Sequence, residues 1–218
     1  MKENCRFEDQ NSFGFWVKWV FQTFFFRLLG VNLVFLISCV PIVTIPAAMC
    51  GLHTVIQRLY RRQYASAGIS AFFGEFLTSF VKRTVCIWSM LLLPIAVMIF
   101  SGDMLPRPIW FSLSGLILVA VLLILSWFVP QLVLLNLSTK QALKNALLLT
   151  GIESKTNFAL ITIHVVSLTV MIYGLPATGF LLLILPVLHV VLTTGITMPV
   201  LQRYLVLQEE AQNAFVNE

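Results

Sequence analysis

The sequence predicts an all-α protein, a polytopic integral membrane bundle of about five transmembrane helices with short interfacial helices between them. Three observations predict it. First, 59% of the residues are hydrophobic and only 11% are charged, whereas a soluble domain carries roughly 25% charged residues. Such a chain cannot cover a water-facing surface, so lipid must be its main solvent. Second, a helix that crosses the hydrocarbon core needs about 20 mostly apolar residues, and five stretches approach or reach that length. Third, turn and proline signals fall between those stretches. At 218 residues the chain has room for one transmembrane domain, 1–218, and none for a separate catalytic domain.

The five expected spans are residues 20–43, 85–100, 109–129, 158–175 and 177–198. Ser101-Gly102-Asp103 with Pro106 and Pro108 separates the second from the third. Gly174-Leu175-Pro176 joins the last two so tightly that they must form an antiparallel hairpin. Pro41, Pro94, Pro130 and Pro186 end or kink helices. A broken span is tolerated in lipid only where neighbours satisfy the freed backbone groups, which implies a packed bundle. Residues 47–62 and 70–83 read as surface helices. The second carries an aromatic stripe, Phe72, Phe73, Phe76, Leu77 and Phe80, of the kind that lies in the membrane interface. Ser138-Thr139-Lys140-Gln141 reads as a capping box that opens another short helix, with Gly151 as its expected end.

Lysine and arginine set the orientation. Arg58, Arg61, Arg62, Lys82, Arg83, Lys140, Lys144, Lys155 and Arg203 lie on one side of the expected spans, against Lys2, Arg6, Lys18 and Arg107 on the other. The positive-inside rule then predicts an external N-terminus and a cytoplasmic C-terminus. The same rule accounts for the net charge of +5, so nucleic acid is not an expected partner. Trp16, Trp19, Trp110 and Trp127 fall near expected span ends, where indoles anchor at the interface. The first residues do not resemble a cleavable signal. The four cysteines have no metal-type spacing and read as small buried hydrophobes.

All nine acidic residues lie outside the apolar cores of the expected spans. Ion-coupled transport ordinarily uses a carboxylate near the midplane. There is no GxxxxGK[ST] loop to bind nucleotide, and no HExxH or GxSxG motif to perform hydrolysis. The expectation is a protein that is not an enzyme and carries no cofactor or metal. Three polar features remain inside apolar runs. Arg27 can snorkel to the headgroups or anchor an anion. Asn32 suits an interhelical hydrogen bond. His164 and His189 lie twelve and thirteen residues either side of Pro176. At ~1.5 Å rise per residue they sit at matching depth, ~18–20 Å from the turn. Their rotation is open, and so is the choice between a ligand or proton-relay pair and two imidazoles bonded across the bundle.

The run Pro41-Ile42-Val43-Thr44-Ile45-Pro46-Ala47 places two prolines five positions apart. Each removes a backbone donor and disfavours helix in the residue before it. The Thr44 hydroxyl is placed to bond a carbonyl left open by the break. A rigid corner at the end of the first span follows. A broken helix can also expose carbonyls to an ion or substrate, but no acidic residue accompanies this one.

With Asn32 before it, the basic loop after it, the aromatic-basic segment 72–83 and Lys144-Asn145-Ala146-Leu147 later, this run resembles the YesL-like family of bacterial membrane proteins, a domain of unknown function. Ile45 departs from the glycine that many members carry before the second proline. The resemblance implies a bacterial plasma membrane protein that accompanies carbohydrate uptake. Two functions are then expected. One is a non-catalytic accessory subunit packed against another integral membrane protein, such as a sugar permease of the ABC type. The other is a small homo-oligomeric transporter or channel. An interface in lipid favours small and hydroxyl residues, and the hairpin tip offers Gly174, Ala177, Thr178 and Gly179.

Overall fold

The structure, a computed structural model, describes residues 13–80, 82–101, 107–135, 137–174 and 184–216. Among the described residues there are eight α-helices and no strand: α1 (Phe13–Ser38), α2 (Ile45–Tyr60), α3 (Ile69–Ser79), α4 (Lys82–Ser101), α5 (Arg107–Leu134), α6 (Thr139–Ile152), α7 (Ser154–Gly174) and α8 (Leu185–Val216). Five helical stretches are long and apolar enough to cross a membrane: Phe13–Ser38, Ile42–Tyr60, Ser112–Val133, Ser154–Tyr173 and Leu185–Tyr204. The chain is a multi-pass, all-helical membrane protein.

The first span breaks where the prolines fall. α1 ends at Ser38, Pro41 is extended (φ −76°, ψ 111°), residues 42–44 make one 3-10 turn, and Pro46 sits in the first turn of α2. The Thr44 hydroxyl donates to the carbonyls of Ser38 and of Pro41, the latter at 2.6 Å. These are carbonyls that the broken helix would otherwise leave open. The chain then folds back. Trp16 near the start of α1 meets Tyr60 at the end of α2, edge to face with centroids 5.2 Å apart, so α1 and α2 form an antiparallel hairpin.

That hairpin corrects two expectations. Residues 47–62 do not lie at the membrane surface: α2 is the most buried of the five candidate spans, with 67% of its window inside the protein. Ala47, Ala48, Leu52, Val55, Ile56 and Leu59 are fully buried, against α1, α3, α5 and α8. The ends of the bundle also differ from expectation. Gly195 of α8 lies so near Phe13 and Trp16 that a Cβ there would approach their rings to 2.8 Å. With Ile184 and Val187 beside Phe25 and Leu28, α8 runs antiparallel to α1, so the start of α1, the end of α2 and the later half of α8 lie toward one end of the bundle, where opposite sides were expected for the two termini. Lys18, Arg58, Arg61, Arg62, Lys155 and Arg203 gather toward that end, and Arg107 starts α5 at the other.

Residues 85–100 lie in α4, which is 20 residues long and with α3 makes a sixth candidate span bent by 72°. An ion pair between Glu75 and Arg83 closes the bend, and the Ser79 hydroxyl donates to Glu75 at 2.9 Å. The aromatic stripe of α3 is divided. Phe72 is buried against α2, while Phe73, Leu77 and Phe80 are exposed. α6 opens with the expected capping box, Ser138 with Gln141, but runs past Gly151 to Ile152. Trp127 does not sit at the interface: it is fully buried, and its indole N–H donates to Asn157 Oδ1 at 2.8 Å. The turn expected at 175–176, with the small residues Ala177, Thr178 and Gly179, lies outside the described residues.

Candidate functional site: an intramembrane histidine cleft

Constant helical rise brings His164 of α7 and His189 of α8 to one depth, and helix rotation turns them toward each other. Their ring centroids are 4.8 Å apart. Each imidazole has a hydroxyl partner. Ser126 Oγ on α5 lies 2.6 Å from His164 Nε2 and donates its own proton to the carbonyl of Leu122 at 2.8 Å. Ser167 Oγ shares a hydrogen bond of 2.9 Å with His189 Nδ1. The Thr193 hydroxyl is spent on the carbonyls of His189 (3.0 Å) and Val190 (3.2 Å).

A third histidine joins them. His53 on α2, which sequence reasoning passed over, lines the same cleft as His164, His189, Ser126 and Thr193. All three histidines of the chain thus converge from α2, α7 and α8. His53 is 5% exposed, and its Nδ1 is buried with no hydrogen-bond partner. The only sequence signal was a polar pair, His53-Thr54, between Leu52 and Val55 on a helix expected at the surface. The inner cleft holds about 840 Å³ including its mouth. It continues outward past the His164–His189 pair between Leu118, Leu168 and Met171. Among the described residues its walls are otherwise apolar, and no charged side chain lines it. Among the described residues no group of three or more His, Cys, Asp or Glu is placed to hold a metal ion.

The remaining sequence-selected residues stand apart from this cleft, apart from Pro46, which lines its inner wall. Arg27 reaches the carbonyls of Tyr64 and Ala67, and its guanidinium lies 5.6 Å from the centre of the Phe24 ring. It fastens α1 to the connection between α2 and α3. Asn32 is fully buried on the inward face of α1, beside Val31 and Phe35. Pro41 and Thr44 form the corner.

A family described as "Protein of unknown function, DUF624" matches residues 28–101. The matched region runs from Leu28 in α1 through the proline corner, α2 and α3 to the end of α4. It contains His53 but neither His164 nor His189. No curated protein and no solved structure matches the chain. Over its first four helices the chain is similar to this family of unknown function.

Proposed function

We propose that the chain is a non-catalytic accessory subunit of the bacterial plasma membrane that packs against another integral membrane protein, a carbohydrate permease. The observation that carries this reading is the exposure of α7. Only 11% of its span is buried within the bundle. Its outward side carries Thr162 and Thr169, whose hydroxyls are bonded back to the carbonyls of Phe158 (2.9 Å) and Val165 (2.8 Å), with Val165, Val166 and Ile172 beside them. Small and hydroxyl side chains of this kind let a second helix approach closely in lipid, where burial of apolar area alone drives nothing. The permease rests on the resemblance to the YesL-like family.

Purification from native membrane should recover a permease subunit at fixed stoichiometry, and a Thr162→Trp, Thr169→Trp variant should lose it while still inserting. The cleft favours the other reading, a small transporter. Saturable flux of sugars or ions into liposomes that hold the purified chain alone would replace the accessory role with that one.

The orientation follows from the basic end of the bundle. Lys18, Arg58, Arg61, Arg62, Lys155 and Arg203 gather there, and the positive-inside rule then places that end, with the C-terminus, in the cytoplasm. In a background without native cysteines, Lys18→Cys and Asn217→Cys should both resist an impermeant thiol reagent added to intact cells. Labelling of either from outside contradicts the assignment.

A further inference from the structure

We propose that the histidine cleft is a binding site for a neutral amphiphile, a hydrocarbon chain ended by one hydroxyl, with the hydroxyl on His53 and the chain running out between α5 and α7. This holds whichever partner reading stands.

The first support is the unpartnered nitrogen. His53 lies near the middle of the span Ile42–Tyr60, with Nδ1 buried and unbonded. Leaving such a group unsatisfied away from water costs free energy. A hydroxyl on a hydrocarbon chain at the same depth is equally without partners, because acyl chains offer none. Bringing the two together relieves both. Ser126 and Ser167 already hold one nitrogen each of His164 and His189, whereas His53 has no such hydroxyl partner.

The second support is the shape and chemistry of the walls. Without its open mouth the inner cleft holds about 270 Å³, just under the usual size range of small-molecule sites, and it continues into the outer part. Beyond the histidine pair it is lined by Leu118, Leu122, Leu168 and Met171. Those walls exclude a free sugar, whose several hydroxyls would be stranded against leucine. The lack of a charged lining residue disfavours an ionic headgroup. One hydrogen-bonding end and a long apolar remainder fit.

The third support is access. Leu118, Leu168 and Met171 are 44%, 49% and 48% exposed, on helices that cross the membrane. The outer part of the cleft therefore faces the bilayer, which is where such an amphiphile dissolves.

The test uses the full chain in nanodiscs of palmitoyl-oleoyl-phosphatidylglycerol, labelled by a diazirine-bearing hexadecanol and mapped by mass spectrometry. Labelling is expected on peptides containing Met49, Leu122, Leu168 and Met171. 1-Hexadecanol should compete about tenfold better than hexadecane, the worth of roughly one hydrogen bond. His53→Phe keeps a ring of similar size and should erase that advantage. Leu168→Trp, at an exposed position, should cut labelling about tenfold by filling the outer cleft, and it decides the matter if His53→Phe does not fold. Equal competition by hexadecane overturns the proposal, since any lipid tail then fills the groove. So does labelling confined to other helices, or an advantage for the alcohol that survives His53→Phe.

Discussion

Gly51→Leu is expected to prevent accumulation of folded protein, and Gly51→Ala to weaken it severely. At Gly51 the backbones of α2 and α3 cross so closely that a Cβ would sit 2.9 Å from both the ring and the carbonyl oxygen of Phe72. The ring cannot easily withdraw, because Phe72 is fully buried and stacks on Phe76 at 6.0 Å. The carbonyl cannot move without moving α3. Overpacking of a tight core costs about 1–3 kcal/mol and sometimes more. Alanine should fall near ~2 kcal/mol, and leucine, with three further carbons, at or above the top of that range. A loss of that size is a large fraction of the ~5–15 kcal/mol that holds a typical domain folded. Gly74, on α3, has open space around it. Gly74→Ala should be neutral or stabilising by up to ~1 kcal/mol, through helix propensity. Melting followed by fluorescence-detected gel filtration in detergent separates the cases. A Gly51→Leu protein that melts with the parent would show that α2 and α3 do not meet as described.

Gly51 was not legible because its reason is a helix twenty residues further on. The surroundings misled in the same way. His53, Thr54, Gln57 and Arg58 interrupt the apolar pattern of 47–62, and polar side chains in a hydropathy window count as if they met water. In the fold they meet protein. Thr54 donates to its own helix at the Cys50 carbonyl (3.0 Å), and Gln57 Nε2 donates to the carbonyl of Pro130 (3.3 Å).

Features with local causes were legible. The break between α1 and α2 follows from ring constraints at Pro41 and Pro46, with a hydroxyl three residues from the first. The start of α6 follows from Ser138 and Gln141 alone. Equal depth of His164 and His189 needed only the constant rise of a helix. Their facing each other needed rotation about two helix axes, which residue counting does not contain. His53 needed in addition that α2 be inside the bundle. Trp127 shows the limit of a compositional rule: tryptophan near a span end usually anchors at the headgroups, but a buried acceptor outcompetes the interface.

That acceptor gives the second large effect. Asn157→Leu is expected to cost ~3 kcal/mol, because two groups are left without a partner at once. The buried Trp127 indole donates to Asn157 Oδ1 at 2.8 Å, and Asn157 Nδ2 donates to the carbonyls of Thr150 at 2.7 Å and Leu149 at 3.4 Å. Thr150 is in the last turn of α6, where helical carbonyls have no partner within the helix. The Leu149 carbonyl also accepts from the Glu153 amide at 3.0 Å, so the Thr150 carbonyl is the one left dependent on Asn157. One side chain at the start of α7 therefore ends α6 and fixes the core tryptophan of α5. A buried donor or acceptor left unsatisfied costs about 1–3 kcal/mol, and leucine, of similar size, isolates that polar loss from any cavity. A double-mutant cycle tests it. Trp127→Phe removes the stranded N–H, so Asn157→Leu should be milder by ~1–2 kcal/mol in that background than in the parent. If the two changes simply add in melting experiments, the indole bond contributes nothing and the junction of α5, α6 and α7 is held by packing alone.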